Sequence, residues 1–376
     1  SDVYKRQDQD SDFAVMYTSG STGHPKGVVM THRGAISTLM SWYFGLRVLD
    51  AMGLGPVPYT DKNGQPYQPC QLVSVPFFHV SGTHGGVLLA LWSGTKLVIM
   101  KKWGPSEAVR LMESEKVSRF GGVPTMAAEI IEEAKKVGAK LDSIRLIDTG
   151  GANRPADQAK EMADFIPHVL TGTSYGMTET NALGIAIRGK EYLENPKVTG
   201  RLIAPLAEMR IVDEFDVDVA VGEVGELVLK SAANMRCYLN KDIETSEVLK
   251  NGWLYTGDLA KIDENQLITL VDRKKNIIIR GGENISAQEV QTAILEHPNV
   301  VEAAIFSVPN ERLGEIVGAC VYCRKTSHEN ESSLRDFLKS SLAAYKIPEH
   351  IWIKNKPLPR VASEKIDVEA LKKEYS

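Results

Sequence analysis

Cysteine is scarce: four residues (Cys70, Cys237, Cys320 and Cys323) in a chain of 376. That is too few to staple a protein of this length, and it points to a reducing compartment. A basic excess is missing as well. The 44 Lys and Arg stand against 48 Asp and Glu, a net charge of -4, which excludes the global positive field of a dedicated nucleic-acid binder. Long apolar runs are absent too. The longest, 85–100, is broken by Ser93, Gly94, Thr95 and Lys96, short of the roughly 20 unbroken residues of a membrane-spanning helix. The opening string SDVYKRQDQDSD has basic residues but no apolar stretch behind them, so it does not read as a secretory leader. Internal repeats and low-complexity tracts are not found. The expectation is a soluble, cytoplasmic protein without a transmembrane segment, with peripheral membrane contact left open. Its first residue is Ser, not Met, as expected of a processed protein or of a piece of a longer one.

What is present is ordinary globular material, 43% hydrophobic and 24% charged, enough for two or three domains at about 150 residues each. From Phe13 to Glu179, short apolar runs (FAVMYT, LVSVP, KLVIM, SRFGGVP, SIRLIDTGG, HVLTGTSYG) alternate with helical patterns (RGAISTLMSWYF, GGVLLALW, PSEAVRLMESE, TMAAEIIEEAKK, ADQAKEMADF). That alternation implies crossover units and a largely parallel sheet covered on both faces. After it come short β-rich pieces with turn punctuation, MRIVDEF, GEVGELVLK, GWLYTGD and QLITLVDR. The last stretch mixes strands (NIIIR, VVEAAIFSV, IVGACVYC, HIWIK) with helices (SAQEVQTAILE, ESSLRDFLKSSLAAY, DVEALKKEY). The expected architecture is α/β: a large, multi-layered α/β domain over 1–197, a β-rich subdomain over 198–273 and a small α+β domain over 274–376. The last boundary lies in the charged cluster DRKKN, suited to a solvated hinge.

The most informative string is Tyr17-Thr18-Ser19-Gly20-Ser21-Thr22-Gly23-His24-Pro25-Lys26-Gly27. Glycines that let backbone amides approach a ligand, hydroxyl side chains and one fixed cation together make a phosphate cradle. It is not a Walker A loop, because Pro25 precedes the lysine and Gly27 follows it where Ser or Thr belongs. The bland alternative is a flexible surface loop. Cys320-x-x-Cys323 reads differently: residues three apart on a strand point to opposite faces, no second such pair exists, and His328 is the one added ligand candidate. Zinc is not expected there.

TSGSTGHPKGV resembles the phosphate loop of the adenylate-forming superfamily, which includes acyl-CoA synthetases, peptide-synthetase adenylation domains and firefly luciferase. Four further strings follow in that family's order: SYGMTET at 174–180, YTGDL at 255–259, DRKKNIIIRGGENI at 272–285 and PRVASEKID at 359–367. The resemblance spans about 12–373 and implies a carboxylate joined to the α-phosphate of ATP, with Mg²⁺ present, then transferred to CoA. Attack by an anion on a polyanion needs charge neutralised and partners aligned. By resemblance, Thr18, Ser19, Gly20, Ser21, Thr22, Gly23 and Lys26 hold the β- and γ-phosphates, Thr178 holds the α-phosphate, and Glu179 holds the metal. Magnesium takes one or two carboxylates plus phosphate oxygens, so a lone Glu is adequate.

The same resemblance assigns Asp258 and Arg273 to the ribose. A carboxylate offers two acceptors to a vicinal diol, although a turn aspartate after Gly257 is also common. Gly150, Gly151, Ala152, Thr173, Ser174, Tyr175 and Gly176 form the adenine slot, with Asn153 where the family often has proline. Gly176 and His79 lie beside the acyl group, His79 reading equally well as a core residue. Lys365 bridges the acyl carboxylate and phosphate, with Glu364 where the family usually has glycine. Lys275 matches the hinge of a mobile C-terminal domain, and Gly281 and Gly282 the passage for the pantetheine arm. GGENI favours acyl-CoA synthetases over peptide-synthetase domains. The expected partners are a small carboxylic acid and CoA. Gly- and Leu-rich strings (SGTHGGVLLALW, RFGGVPTM, TETNALGIAI), in which Arg119 is the one evident cation, favour a medium- or long-chain fatty acid. The resemblance also implies that the large domain over 1–197 is incomplete, its N-terminal portion missing, because in the family a long segment precedes the phosphate loop. The alternatives are an aryl or steroid-type acid, a peptide-synthetase-like domain, and a silent nucleotide-binding fragment.

Overall fold

The computed structural model describes residues 8–18, 25–151, 156–324, 329–361 and 365–375, with backbone alone at 156 and 275. The chain divides into two compact units. One comprises Ser1–Val212, Leu227–Thr256 and Ile262–Thr269, the other Asp213–Glu226, Gly257–Lys261 and Leu270–Ser376.

The first unit begins with an antiparallel hairpin, β1 (Asp12–Thr18) and β2 (Lys26–Thr31), whose register sets Thr18 opposite Lys26. Val28, Val29 and Met30 are fully buried, so this hairpin is anchored by its second strand. Thr31 then caps α1 (His32–Ala51), its hydroxyl accepting from Gly34 N at 3.1 Å, which satisfies one orphan donor of the first turn. A seven-stranded sheet follows. Its strands are β3 (Cys70–Val73), β4 (Lys96–Ile99), β5 (Arg119–Gly122), β6 (Leu146–Gly150), β7 (Leu170–Tyr175), β8 (Ile185–Arg188) and β9 (Arg201–Leu202). The order is β4-β3-β5-β6-β7-β8-β9, parallel through β7 and antiparallel beyond it.

Between the strands run α2 (Leu89–Ser93), α3 (Pro105–Ser114), α4 (Pro124–Val137), α5 (Ala156–Phe165) and, after β8, α6 (Gly189–Glu194). The parallel strands are apolar because helices cover them: Leu72, Phe120 and Ile147 pack with Met112, Ile130 and Met162 in one core. Each such side chain contributes about 1.5–3 kcal/mol by leaving water. The helix expected at GGVLLALW is only partly α. Residues Ser81–Leu88 form a π-helix that runs into α2, and three glycines in those eight residues weaken the ordinary α register.

A β-rich region follows: β10 (Ala207–Val212), β11 (Gly225–Ser231), β12 (Cys237–Tyr238), α7 (Asp242–Val248), β13 (Leu249–Lys250), β14 (Trp253–Ile262) and β15 (Ile268–Arg273). Four of these strands run β10-β11-β14-β13 with β15 beside β14. Strand β12 leaves them and joins the first hairpin, pairing with β2 at Cys237↔Val29 and Tyr238↔Val28.

The remaining elements are β16 (Ile277–Arg280), β17 (Glu283–Ser286), α8 (Ala287–Leu295), β18 (Val300–Asn310), β19 (Gly314–Cys323), α9 (Glu331–Leu338), β20 (His350–Lys354) and α10 (Val368–Tyr375). Their sheet runs β17-β16-β19-β18, with β20 parallel to β19. One face packs Ile278, Val290, Ile294, Val317 and Leu334, and the other packs Phe306, Ile316, Leu358 and Leu371. Cys323 belongs to the first core and Cys320 to the second, so the two thiols face opposite ways as their spacing requires. The helix expected over 331–345 stops at Leu338. Ser340 and Ser341 donate back to the carbonyls of Phe337 (2.8 Å) and Leu338 (3.4 Å), and such local bonds compete with helical ones.

Candidate active site

In open α/β sheets, ligands bind beyond the carboxyl ends of the parallel strands. Here those ends are Gly122, Gly150 and Tyr175. The register of β6 with β7 sets Gly150 beside Ser174 and Thr149 beside Thr173, so two strings distant in sequence meet at one edge. Gly151 follows with a φ of 75° and is exposed. Ala152 and Asn153 lie outside the described residues, as do Ser19, Gly20, Ser21, Thr22 and Gly23 of the phosphate loop, and Glu364. Arg119 is the first residue of β5, at the end away from this edge.

After β7, Thr178–Thr180 form a short 3₁₀ turn. Thr178 is half-buried and Glu179 is buried, its Oε1 accepting from the Tyr238 hydroxyl at 2.9 Å. Burial, more than the neighbouring Glu179 charge, raises the Tyr238 pKa, so the phenol keeps its proton and is the donor. The Lys26 ammonium sits 4.9 Å from the centroid of the same ring. A lone buried carboxylate suits Mg²⁺ held mainly by phosphate oxygens. Among the described residues, no group of three or more His, Cys, Asp or Glu is placed to form an all-protein metal site.

His79 is half-buried in the turn before the π-helix, its ring 6.0 Å from that of Phe78. The buried histidine is another one, His84, whose Nε2 lies 2.9 Å from Asn181 Oδ1. Asn181 spends its amide on the Ala233 carbonyl at 2.7 Å, so Oδ1 is the acceptor and Nε2 carries the proton. Burial lowers the His84 pKa and favours the neutral ring. The pair ties the π-helix to the turn that carries Thr178 and Glu179.

In the second unit, Asp258 is 4% exposed and its Oδ1 accepts from Arg273 Nε at 2.9 Å, while the Arg273 side chain stays half exposed. Lys365 and Asp367 are tied back to the preceding chain by Val361 N to Lys365 O (2.9 Å) and Asp367 N to Pro359 O (2.7 Å). Buried Glu302 holds the stretch just before them, accepting from Leu358 N at 2.7 Å and pairing with Arg360. As a residue Lys365 is exposed, yet its ammonium is crowded by protein atoms. That desolvation, then the like charge of Arg273, lowers its pKa, and Asp258 partly offsets them. Asp258, Arg273 and Lys365, far apart in sequence, are thus close enough to act on one another.

Gly281 and Gly282 turn β16 into β17, with φ of 60° and 91° and Arg280 paired to Glu283. A two-residue hairpin with both central φ values positive selects glycine, so backbone geometry alone accounts for the pair. Lys275 falls in the 3₁₀ turn Lys274–Asn276. Just before it, buried Asp272 accepts from the Ser286 hydroxyl (2.8 Å) and Gln288 N (2.9 Å), fixing the start of α8. Tyr238, His84 and Asn181 were not singled out in sequence. None carries a local signal, since each acts through a partner far along the chain.

An open, mostly parallel α/β sheet with small and hydroxyl residues at its carboxyl edge, accompanied by a small α+β unit bearing a late lysine, is the architecture of adenylate-forming proteins. The chain belongs to the AMP-binding enzyme family: the AMP-binding enzyme model matches residues 2–239, and the AMP-binding enzyme C-terminal domain model matches 289–365. It is 32% identical over 352 residues to a feruloyl-CoA synthase of an Amycolatopsis species (94% of this chain, 67% of that protein). It is 31% identical over 366 residues to a long-chain-fatty-acid–CoA ligase of Bacillus subtilis (96% and 61%). The o-succinylbenzoate CoA synthetase of Bacillus subtilis, solved with its acyl-adenylate intermediate, superposes with a TM-score of 0.82 at 28% identity (97% and 70%). The chain spans 61% to 67% of the length of these two curated relatives. No helix among the described residues is long and apolar enough to cross a membrane.

Proposed function

We propose that the protein is an AMP-forming acid–CoA ligase, converting a carboxylic acid, ATP and CoA into an acyl-CoA, AMP and pyrophosphate. The observation that carries this reading is the Asp258–Arg273 ion pair, with Lys365 within electrostatic reach of both. Asp258 accepts the ribose hydroxyls, and Arg273 steadies Asp258 and lies on the same sugar. Lys365 then presents its charge where the acid oxygen attacks the α-phosphate, stabilising the negative charge that develops there. Thr178 donates to the α-phosphate, and Thr18 and Lys26 hold the outer phosphates. Glu179 would hold Mg²⁺, which when bound would neutralise charge on the phosphate oxygens. Gly150, Gly151 and Thr173–Gly176 bound the adenine. Lys275 is the hinge about which the second half-reaction is set up, with Gly281 and Gly282 beside the CoA arm.

The acid is an apolar monocarboxylate, a medium- or long-chain fatty acid. Arg119 begins β5 at the end opposite the candidate site, so it does not serve a second carboxylate. A Cβ built at Gly121 meets nothing nearer than 3.9 Å, which leaves room for a chain at the strand end. Coenzyme-dependent AMP release against octanoate, palmitate, ferulate, 4-coumarate, o-succinylbenzoate and malonate is the test, run on this chain and on one extended upstream. Fatty acids are expected to exceed the diacids by at least about tenfold, of the order expected when a carboxylate enters an apolar pocket without a partner. Ferulate as the best substrate overturns the chain-acid assignment, and no release with any acid in either chain overturns the ligase reading. Gly282→Ala costs about 1–2 kcal/mol, since a Cβ is forced into a left-handed conformation. Denaturant unfolding measures that loss. Acyl-adenylate formation is expected to continue while thioester formation slows, and an equal fall in both half-reactions counts against the CoA assignment.

A further inference from the structure

We propose that Tyr238 is a positioning residue that holds Lys26 and Glu179 in one fixed arrangement around the phosphate–metal end of the nucleotide, an assignment that rests on the ligase reading above. Its hydroxyl donates to Glu179 Oε1 at 2.9 Å, and its ring face carries the Lys26 ammonium at 4.9 Å. One side chain therefore touches both charges, a cation and an anion that come from separate segments of the chain. Tyr238 is 6% exposed and Glu179 7%, so the hydroxyl–carboxylate bond is shielded from bulk water.

The backbone that delivers Tyr238 is fixed from several directions. Strand β12 pairs with β2 at Tyr238↔Val28, two residues beyond Lys26. Arg236 N donates to Val29 O at 2.9 Å, Leu239 N to Gly27 O at 2.7 Å, and Tyr238 N to Thr245 Oγ1 at 2.9 Å. The same segment grips Glu179 at both ends, because Met235 N donates to the Glu179 carbonyl at 2.7 Å while the phenol takes the carboxylate. A carboxylate with one oxygen committed to a phenol has its rotamer set and its second oxygen directed, which is how outer-shell donors tune metal ligands. An ammonium lying on an aromatic face is attracted by the ring quadrupole and loses part of its conformational freedom before phosphate arrives.

Two variants separate the two contacts. Tyr238→Phe keeps the ring and removes the hydroxyl, while Tyr238→Leu removes both. Binding is read without turnover: ATP by calorimetry with EDTA present, and Mn²⁺ with saturating ATP by electron paramagnetic resonance. Tyr238→Phe should weaken Mn²⁺ about tenfold, in the range found for lost outer-shell partners, with metal-free ATP binding unchanged. Tyr238→Leu should weaken metal-free ATP as well. Thr245→Val, which removes the acceptor under Tyr238 N, should weaken Mn²⁺ by a smaller factor even if position 238 tolerates no change. Unaltered Mn²⁺ binding in both Tyr238→Phe and Thr245→Val, with only a lowered unfolding temperature, reduces Tyr238 to a core residue and overturns the proposal. Wild-type protein that binds neither ATP nor its Mn²⁺ complex overturns the ligase reading together with it.

Discussion

Lys365→Ala lowers the rate of acyl-adenylate formation by about 10²–10³-fold, the loss typical when a preorganised charge-stabilising donor is removed. Thioester formation from supplied acyl-adenylate and CoA stays within about twofold, because the phosphate bond that the lysine serves has already been broken. The two half-reactions, measured separately by pyrophosphate release and by CoA consumption, distinguish this from a general loss of structure. Equal losses in both refute the role. The surroundings of Lys365 add a pH signature. Crowding and Arg273 lower its pKa in the folded protein, so the charged form is disfavoured by folding. Its stability penalty is fully present below the folded pKa and is relieved as pH rises toward the ordinary lysine value. The activity limb runs the other way. Adenylation needs the charged ammonium and declines as pH rises through the lowered pKa, earlier than an unperturbed lysine would require. Lys365→Arg, whose charge does not titrate in that range, should flatten this alkaline limb at reduced rate.

Much of the candidate site was legible in the chain because its residues come in short strings. YTGDL and DRKKN placed Asp258 and Arg273, and GTSYGMTET placed the last turn of β7 and Glu179. The alternation of apolar runs with helical ones is also found in the fold, since helices cover the sheet and bury apolar strand residues such as Leu72, Phe120 and Ile147. What stayed hidden is what depends on distance along the chain. Tyr238 and Glu179 are 59 residues apart, and His84 and Asn181 are 97 apart, so no window reveals either pair. The helix ending at Leu338 was overextended because ESSLRDFLKSSLAAY keeps an amphipathic pattern through its serines, and the pattern does not report their hydroxyls bonding backward. Gly281 and Gly282 were legible as glycines that matter, but the sequence offered the pantetheine passage and not the hairpin turn that independently demands them.

Gly176→Ala is expected to be as damaging to adenylation as the loss of a functional group, though glycine contributes none. A Cβ at 176 would lie 2.4 Å from the Ala182 carbonyl oxygen and 2.6 Å from its carbon. Both are backbone atoms, so no rotamer change relieves the overlap. The segment that would have to move is compact and self-bonded: Asn181 N donates to Thr178 O, Ala182 N to Met177 O and Leu183 N to Thr180 O, at 2.9–3.1 Å. Asn181 and Ala182 already take positive φ values of 52° and 65°, leaving little conformational slack. Displacing this turn moves Thr178 and Glu179 together, and a shift near 1 Å in positioning groups costs about 10²-fold in rate. Overpacking at such a point destabilises by about 1–3 kcal/mol, readable as a lower denaturant midpoint. Gly121→Ala serves as the contrast, since its nearest neighbour would be 3.9 Å away. That variant keeps its stability and its rate with short acids, and loses only the longest chains if the strand end borders the acyl group. Adenylation by Gly176→Ala at more than half the wild-type rate would show that the turn takes up the methyl without displacing Thr178 and Glu179, and would refute this coupling.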